Sequence, residues 1–221
     1  MLTLSIFQKT LSWLVPVRVL TTSSPVHARL ELFRYRGRWQ LATEDAFYSD
    51  GAAYTPMLKA FGALGRRVLV SWNDVVVLGA GLGSAVQVLS RNYRLQPHMT
   101  LVDIDEAILE LAGTLLGAAG HAHHVELICE DASLYVTQET DSFDALILDV
   151  FRGRQVPEFA LERPFLEHCL QRLRPGGTFI MNYIINEDAQ WLRLSATLDR
   201  VLPGYQVRSH GINRIVLWQK P

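Results

Sequence analysis

The chain has 221 residues with 21 basic and 22 acidic side chains, a formal net charge of −1, and about half of its residues are apolar. This balance gives no overall positive field, which excludes a protein that binds nucleic acid through a broadly basic surface. No run of about 18 apolar residues occurs, so we expect no membrane-spanning helix. No clear signal-peptide pattern precedes the first polar residues, and we expect a cytoplasmic protein with no membrane partner.

The first 50 residues differ in pattern from the rest. Apolar residues recur there at helical spacing: Leu4, Phe7, Leu11 and Leu14. This pattern predicts an amphipathic helix that packs on the domain or on a second subunit, and we expect a homodimer. Three strand-like segments follow, VRVLTT, ARLELFRY and RWQLAT, with Arg36 and Gly37 placed to turn the second into the third. We therefore expect an N-terminal helix and small β element over residues 1–50, and a Rossmann-like domain over residues 51–221.

Short apolar runs then alternate with helical patterns. The runs cover residues 75–78, 100–102, 125–129, 145–148 and 178–183, the helical patterns cover 84–91, 106–116, 159–173 and 189–201, and a terminal pair of strands covers 205–209 and 214–219. Strands that are apolar throughout and alternate with helices indicate a parallel sheet covered on both faces. The sequence therefore predicts an α/β Rossmann-like fold, mainly parallel, with a terminal antiparallel hairpin. Ligands of such sheets bind at the carboxyl ends of the strands.

A glycine-rich loop follows the first of these runs. Gly79, Gly81 and Gly83 stand between an apolar strand and a helix, where missing side chains let backbone amides approach a ligand. With Ala80 they form a candidate nucleotide-binding loop. Glycines at this position also make tight turns for packing alone.

Acidic residues end the next three strands. Asp103 lies about twenty residues beyond the glycines, where an acid accepts hydrogen bonds from ribose hydroxyls in this fold, and Ile104 follows it. Asp131, followed by Ala132, is a candidate partner of an adenine amino group, and a helix N-cap is the alternative. Asp149 ends the fourth strand and is expected to face the reaction centre. Asp105 fits an N-cap better than Asp103 does.

The order of these motifs resembles the aminopropyltransferase (spermidine synthase) family and, more broadly, the class I S-adenosylmethionine-dependent methyltransferases. The resemblance covers roughly residues 27–185 and rests on GAGLG, VDID, EDA, FDALILDVF, LRPGG and the stretch GRWQLATEDAFYSDGAAYTPML. It implies that Gln40, Asp103, Asp131 and Asp149 contact an adenosyl cofactor or the reacting groups. It also implies that Tyr54 lines the acceptor pocket.

Two departures from that family favour intact S-adenosylmethionine as cofactor. Leu82 stands where aminopropyltransferases usually carry an acid in the glycine loop. Arg152 stands where the second acid of an Asp-x-x-Asp stretch would bind a polyamine, and Arg154 follows. Guanidiniums repel a polycation in a poorly solvated site and suit a carboxylate or phosphate. The alternative is that both arginines point to solvent on a loop. The sequence therefore predicts a methyltransferase that acts on a small-molecule acceptor, with Tyr48, Phe151 and Arg152 beside that acceptor.

In this interpretation Asp149 and Tyr54 are the catalytic residues, and no metal takes part. The alternatives are an aminopropyltransferase that uses decarboxylated S-adenosylmethionine, a cyclase or lyase of the same cofactor, and a non-catalytic nucleotide-binding scaffold. For the aminopropyltransferase, the candidate amine-binding acids are Glu44, Asp45, Glu158 and Glu187. The histidines at positions 121, 123 and 124 lie in a turn away from the expected site, without a partner at metal-ligand spacing.

Overall fold

The chain begins in a short helix and a small antiparallel sheet. The computed structural model describes residues 4–43 and 46–221, with Phe47 described by its backbone alone. The N-terminal elements are helix α1 (Ile6–Leu11) and strands β1 (Val17–Thr22), β2 (Leu30–Tyr35), β3 (Arg38–Ala42) and β4 (Phe47–Ser49), which pair in sequence order. Arg36 and Gly37 both have positive φ and connect β2 to β3, as a two-residue type I′ turn requires. The predicted turn is confirmed.

Helix α1 has a capped N-terminus, but none of its side chains is buried against the rest of the protein. The hydroxyl of Ser5 accepts a hydrogen bond from the backbone of Gln8, whose side chain accepts one from the backbone of Ser5, and this reciprocal pair satisfies two amide groups of the first turn. None of the residues of α1 is buried, and Ile6 and Phe7 are 84% and 74% exposed. The apolar pattern is therefore present on an exposed helix, and the homodimer stays a prediction.

The rest of the chain builds a seven-stranded sheet with helices on both faces. Its strands are β5 (Asp74–Leu78), β6 (His98–Asp103), β7 (Val125–Cys129), β8 (Phe143–Leu148), β9 (Leu173–Ile184), β10 (Gln206–His210) and β11 (Asn213–Gln219). The helices are α2 (Thr55–Leu64), α3 (Arg66–Leu69), α4 (Ser84–Val88), α5 (Glu106–Ala118), α6 (Ala132–Gln138), α7 (Arg163–Gln171) and α8 (Asp188–Val201). The strand order is β10-β11-β9-β8-β5-β6-β7, with β5 to β9 parallel and the last two strands antiparallel. The predicted fold, with its terminal hairpin and its small N-terminal β element, is confirmed.

Alternate residues of the central strands enter two different cores. Val75 and Val77 of β5 pack on the face that α2, α4 and α5 cover. Val76 and Leu78 pack on the other face, which α6, α7 and α8 cover. Burial on both faces explains why these strands are apolar throughout. The described part of the chain contains no helix with the length and apolarity that a bilayer-spanning segment requires.

The strand order indicates at which edge of the large sheet a ligand is expected to bind. After β5 the chain continues to β6 on one side, and β8 later joins β5 on the other side. The carboxyl ends of these three strands therefore meet at a switch point, where loops leave in opposite directions and open a crevice. Asp103, Asp131 and Asp149 line that crevice.

Candidate active site

An open cavity lies at the carboxyl edge of β5, β6 and β8. It opens to solvent, and together with that open space it measures about 1050 Å³. Most of the predicted site residues line it: Tyr48, Tyr54, Gly79, Ala80, Gly81, Asp103, Ile104, Asp131, Ala132, Asp149, Phe151 and Arg152. Gln40 and Gly83 do not. The structure thus brings together residues from both sheets around one space.

Gly79 is required by the close approach of two strand ends. Its φ is +93°, and a Cβ placed on it would lie 2.3 Å from the carbonyl oxygen of Asp149. The backbone amide of Asp149 donates to the carbonyl of Leu78 at 2.8 Å, which holds the ends of β8 and β5 side by side. A side chain at position 79 would separate them, so this glycine positions the catalytic candidate as well as opening the cavity.

The third glycine of the loop serves packing. A Cβ at Gly83 would lie 2.7 Å from a methyl carbon of Leu116 on α5, and its φ of +70° suits glycine. Gly83 therefore lets α4 pack against α5 and does not border the cavity. At Gly83, therefore, the glycine is required by packing and not by ligand binding, which is the alternative given in the sequence analysis.

Asp103 is oriented by the backbone around it. Its two carboxylate oxygens accept hydrogen bonds from the amides of Ala80, at 2.9 Å, and Asp105, at 3.0 Å. Burial raises the pKa of Asp103 above its ordinary value, although these two bonds oppose the rise. Each oxygen keeps a second lone pair, so the carboxylate can still accept hydrogen bonds from a diol in the cavity.

Two further acids begin helices. Asp105 caps α5 by accepting from the amide of Ala107, as predicted, and Asp131 caps α6 by accepting from the amide of Ser133 at 2.8 Å. Both contacts of Asp131 within the described residues go to Oδ1, from the amide and the hydroxyl of Ser133. The role of Asp131 toward adenine stays a prediction.

Asp149 is the most strongly perturbed acid of the site. It is half-buried in the wall of the cavity, and the burial of its carboxyl group raises its pKa to about 7 despite hydrogen bonds from Asn182 and Tyr54. The amide nitrogen of Asn182 and the hydroxyl of Tyr54 both donate to Oδ1 of Asp149, at 2.9 and 3.2 Å. Burial and the neighbouring Asp149 charge raise the pKa of Tyr54 well above its usual value, so its hydroxyl keeps its proton and acts as a donor. A carboxyl group with a pKa near neutrality suits proton transfer.

Sequence reasoning missed Asn182, which contacts both catalytic candidates. The signal was a lone amide in the otherwise apolar run FIMNYI of β9. Asn182 is 2% exposed. Buried amides require partners, and a lone amide near the carboxyl end of a central strand indicates contact with the site.

His27 was also missed, and it joins the small sheet to the large one. Its Nδ1 lies 2.7 Å from Oδ2 of Asp105, and its Nε2 lies 3.1 Å from the hydroxyl of Tyr48. That hydroxyl accepts a hydrogen bond from the amide of Gly153 at 2.6 Å and donates to the carbonyl of Phe151 at 3.3 Å. Tyr48 therefore fixes the loop after β8 against the N-terminal sheet.

The structure removes the two arguments that favoured intact S-adenosylmethionine. Leu82 is fully buried among Leu30, Leu41 and Ile108 and does not line the cavity, so its apolar side chain is not evidence about the charge of the ligand. Arg152 borders the cavity but is exposed, and Arg154 is exposed and does not border it. Solvent screens the repulsion between exposed charges, so these arginines do not exclude a polycationic acceptor.

Gln40, Glu158 and Glu187 do not line this cavity. The amide of Gln40 donates to Asp50 at 2.9 Å. Glu158 and Glu187 are exposed and do not line the cavity, and Glu44 and Asp45 lie outside the described residues.

We expect Leu82→Ala to lower the free energy of unfolding by about 2–5 kcal/mol, because it leaves a cavity between the small sheet and α5. Urea unfolding measures this change. Leu134→Ala is the control, since Leu134 is 51% exposed and its truncation is expected to cost less than about 0.5 kcal/mol. A Leu82→Ala protein with unchanged stability but altered affinity for adenosyl ligands would contradict this placement of Leu82.

Comparison with solved structures gives the class of fold. A spermidine synthase crystallised with the transition-state analogue AdoDATO aligns with a TM-score of 0.72 at 16% identity, covering 92% of this chain and 74% of that one. Human methyltransferase-like protein 13 in complex with SAH aligns with a TM-score of 0.61 at 22% identity, covering 75% of this chain and 78% of that one. The fold is the Rossmann-like fold that both groups share.

Sequence comparison then gives the family. The model of the spermine/spermidine synthase domain matches residues 52–199, so this chain belongs to that family. The polyamine aminopropyltransferase of Prochlorococcus marinus is 32% identical over 110 residues, which are 48% of this chain and 38% of that protein. The enzyme of that name from Neisseria meningitidis (strain Z2491) is 25% identical over 149 residues, 66% of this chain and 56% of that protein. The match therefore spans only part of these curated relatives.

The prediction of a methyltransferase is wrong. The matching family model and these curated relatives belong to the spermidine synthases and aminopropyltransferases, which supports the alternative interpretation instead. The error came from assigning Leu82 and Arg152 a role in charge recognition that their positions do not support.

Proposed function

We propose that this protein transfers an aminopropyl group from decarboxylated S-adenosylmethionine to an amine acceptor of the polyamine class. The observation that carries this proposal is the half-buried carboxyl group of Asp149 in the wall of the cavity, which accepts hydrogen bonds from Tyr54 and Asn182. Membership of the spermine/spermidine synthase family supports it.

The charge of the cavity favours cationic ligands. Among the described lining residues, four carry carboxyl groups and one is an arginine: Asp103, Glu130, Asp131, Asp149 and Arg152. Decarboxylated S-adenosylmethionine and a diamine are both cationic, whereas intact S-adenosylmethionine brings a carboxylate into the same space. The carboxyl groups of the cavity attract the two cationic ligands and repel the carboxylate of intact S-adenosylmethionine.

The walls of the cavity also suit an adenosyl group. Gly79 and Gly81 present bare backbone on one side, and Asp103 has its oxygens held by two amides at the end of β6. Ile104 is 44% exposed beside Asp103 and offers an apolar surface to a base. We assign Asp103 to the ribose hydroxyls and the segment Glu130 to Ala132 to the adenine edge.

Aminopropyl transfer requires that the two reactants are held in the correct relative position and that one group accepts a proton. When bound, decarboxylated S-adenosylmethionine supplies the sulfonium-activated carbon that the acceptor nitrogen attacks, and methylthioadenosine leaves with the electron pair of the broken C–S bond. Asp149, ionised above its pKa of about 7, accepts the proton that the acceptor nitrogen loses. Tyr54 and Asn182 hold that carboxylate in place, and Tyr48 keeps the loop after β8 against the cavity.

A product assay tests the proposal. The protein is incubated with decarboxylated S-adenosylmethionine and a panel of linear diamines, and mass spectrometry follows the acceptor and the nucleoside. We expect an acceptor that gains one aminopropyl group, with an equal amount of methylthioadenosine. Methylthioadenosine release without an acceptor product, or turnover with intact S-adenosylmethionine only, would contradict it.

A further inference from the structure

The terminal hairpin, β10 and β11, pairs with β9 on the side opposite β8. Strand β11 is antiparallel to β9, so it begins at the edge where the parallel strands end, and Asn213 pairs with Ile184. The side-chain amide of Asn213 donates to Oδ1 of Asn182 at 2.9 Å. The hairpin therefore contributes a polar group directly behind Asn182.

This contact determines which end of the Asn182 amide faces Asp149. An asparagine side chain has one accepting oxygen and one donating NH₂ group. Because the oxygen of Asn182 accepts from Asn213, the NH₂ group points to Oδ1 of Asp149, at 2.9 Å, and to the hydroxyl of Tyr54, at 3.3 Å. The reverse orientation would place the amide oxygen against the carboxylate and lose the bond to Asn213.

The two carboxylate oxygens of Asp149 consequently differ in the hydrogen bonds that they accept. Both donors, Asn182 and Tyr54, bond to Oδ1 of Asp149. Oδ2 accepts no side-chain hydrogen bond from the residues that the structure describes.

We infer that Asn213 is a positioning residue for Asp149. It holds the Asn182 amide so that Oδ1 of Asp149 is occupied, and Oδ2 is left as the oxygen that receives the acceptor's proton. The role of Oδ2 rests on the proposed function, whereas the effect of Asn213 on Asp149 does not.

The ionisation of Asp149 reports this arrangement without any substrate. Donation from Asn182 stabilises the carboxylate and lowers the pKa of Asp149, against the larger effect of burial. If Asn213 fixes that donor, its removal lets the amide turn and the pKa of Asp149 rises. The other titratable or charged groups that face the cavity are on other elements and are unchanged in the variants: His27, Tyr54, Asp103, Glu130, Asp131 and Arg152.

The experiment is a ¹³C NMR titration of the aspartate carboxyl groups in the full chain, with the Asp149 signal assigned from Asp149→Asn. We expect Asn213→Ala and Asn182→Ala each to raise the pKa of Asp149 by about 0.5–1 unit. The double variant is expected to shift it no further than Asn182→Ala alone, because the two residues act in series. Asn186→Ala is the control, since that amide donates to the exposed carbonyl of Arg154 and is expected to leave the pKa unchanged.

The outcomes separate this inference from the proposed function. An unchanged pKa in a folded Asn213→Ala protein would overturn the inference, as would additive shifts in the double variant. If the pKa rises as expected but the product assay finds no aminopropyl transfer, the positioning of Asp149 stands and the proposed reaction fails.

Discussion

Asp149→Asn is expected to lower turnover with decarboxylated S-adenosylmethionine by about 10²–10⁴-fold, because the amide cannot accept the acceptor's proton. The cavity keeps its shape and three of its four carboxyl groups, so the cofactor is still expected to bind, with a loss of affinity much smaller than the loss of turnover. Initial rates with saturating acceptor measure the first quantity, and calorimetric titration measures the second.

The same substitution is expected to stabilise the fold at alkaline pH. Burial raises the pKa of Asp149 from 3.8 to about 7, so the native state holds this proton more tightly than the unfolded chain does. The contribution of this group to stability is therefore fully present below about pH 4 and declines as the pH rises toward 7. Asn carries no charge at any pH, and at pH 8 we expect a gain on the order of a few kcal/mol in the free energy of unfolding.

The control for this variant is Asp141→Asn, which replaces an exposed aspartate that does not line the cavity. It is expected to leave turnover unchanged. An Asp149→Asn protein that retains full turnover would contradict the proton-acceptor role. Turnover of the native protein that does not fall below about pH 7 would contradict it as well.

Gly79→Ala is expected to lower the free energy of unfolding by about 4 kcal/mol or more, or to prevent folding. The added Cβ would meet the carbonyl oxygen of Asp149 at 2.3 Å and its carbonyl carbon at 2.6 Å, both backbone atoms of a central strand end. The residue also has φ of +93°, which L side chains rarely adopt. Urea unfolding, or the soluble yield where folding fails, measures the effect.

Gly204→Ala separates the clash from the backbone strain. Gly204 has φ of +78°, and a Cβ placed there meets nothing within 4 Å. We expect this control to lose only about 1–2 kcal/mol. If Gly79→Ala were no more destabilising than Gly204→Ala, the close approach of β5 and β8 would not be the reason for the glycine.

The sequence predicts the fold well because burial on both faces leaves a distinct pattern. Val75 to Leu78 can be apolar at every position only where helices cover both sides of the strand. The same logic locates Asp103 and Asp149, since parallel strands bring their carboxyl ends to one edge. These site residues could therefore be predicted from their position after apolar runs.

Side-chain direction and long-range partners could not be predicted in this way. Leu82 stands in the glycine loop but points into the core between the small sheet and α5. Gly83 leaves room for the side chain of Leu116, and the side chain of Gln40 donates a hydrogen bond to Asp50. Such outcomes depend on contacts between segments that are distant in sequence.

The hydrogen bonds of His27 and Asn213 have the same character. His27 meets Asp105 78 residues further along the chain, and Asn213 meets Asn182 31 residues away. No local spacing encodes either pair. The misplaced charge argument at Leu82 and Arg152, which led to the wrong reaction, arose because sequence position alone does not show exposure.

Parallel calorimetric titrations with decarboxylated S-adenosylmethionine, intact S-adenosylmethionine and methylthioadenosine test the central claim most directly. The cavity has four carboxyl groups and one exposed arginine among its described lining residues. We therefore expect the decarboxylated form to bind at least about 10-fold more tightly than the intact form, a difference of about 1.4 kcal/mol. Equal or tighter binding of intact S-adenosylmethionine would contradict an aminopropyl-transfer site.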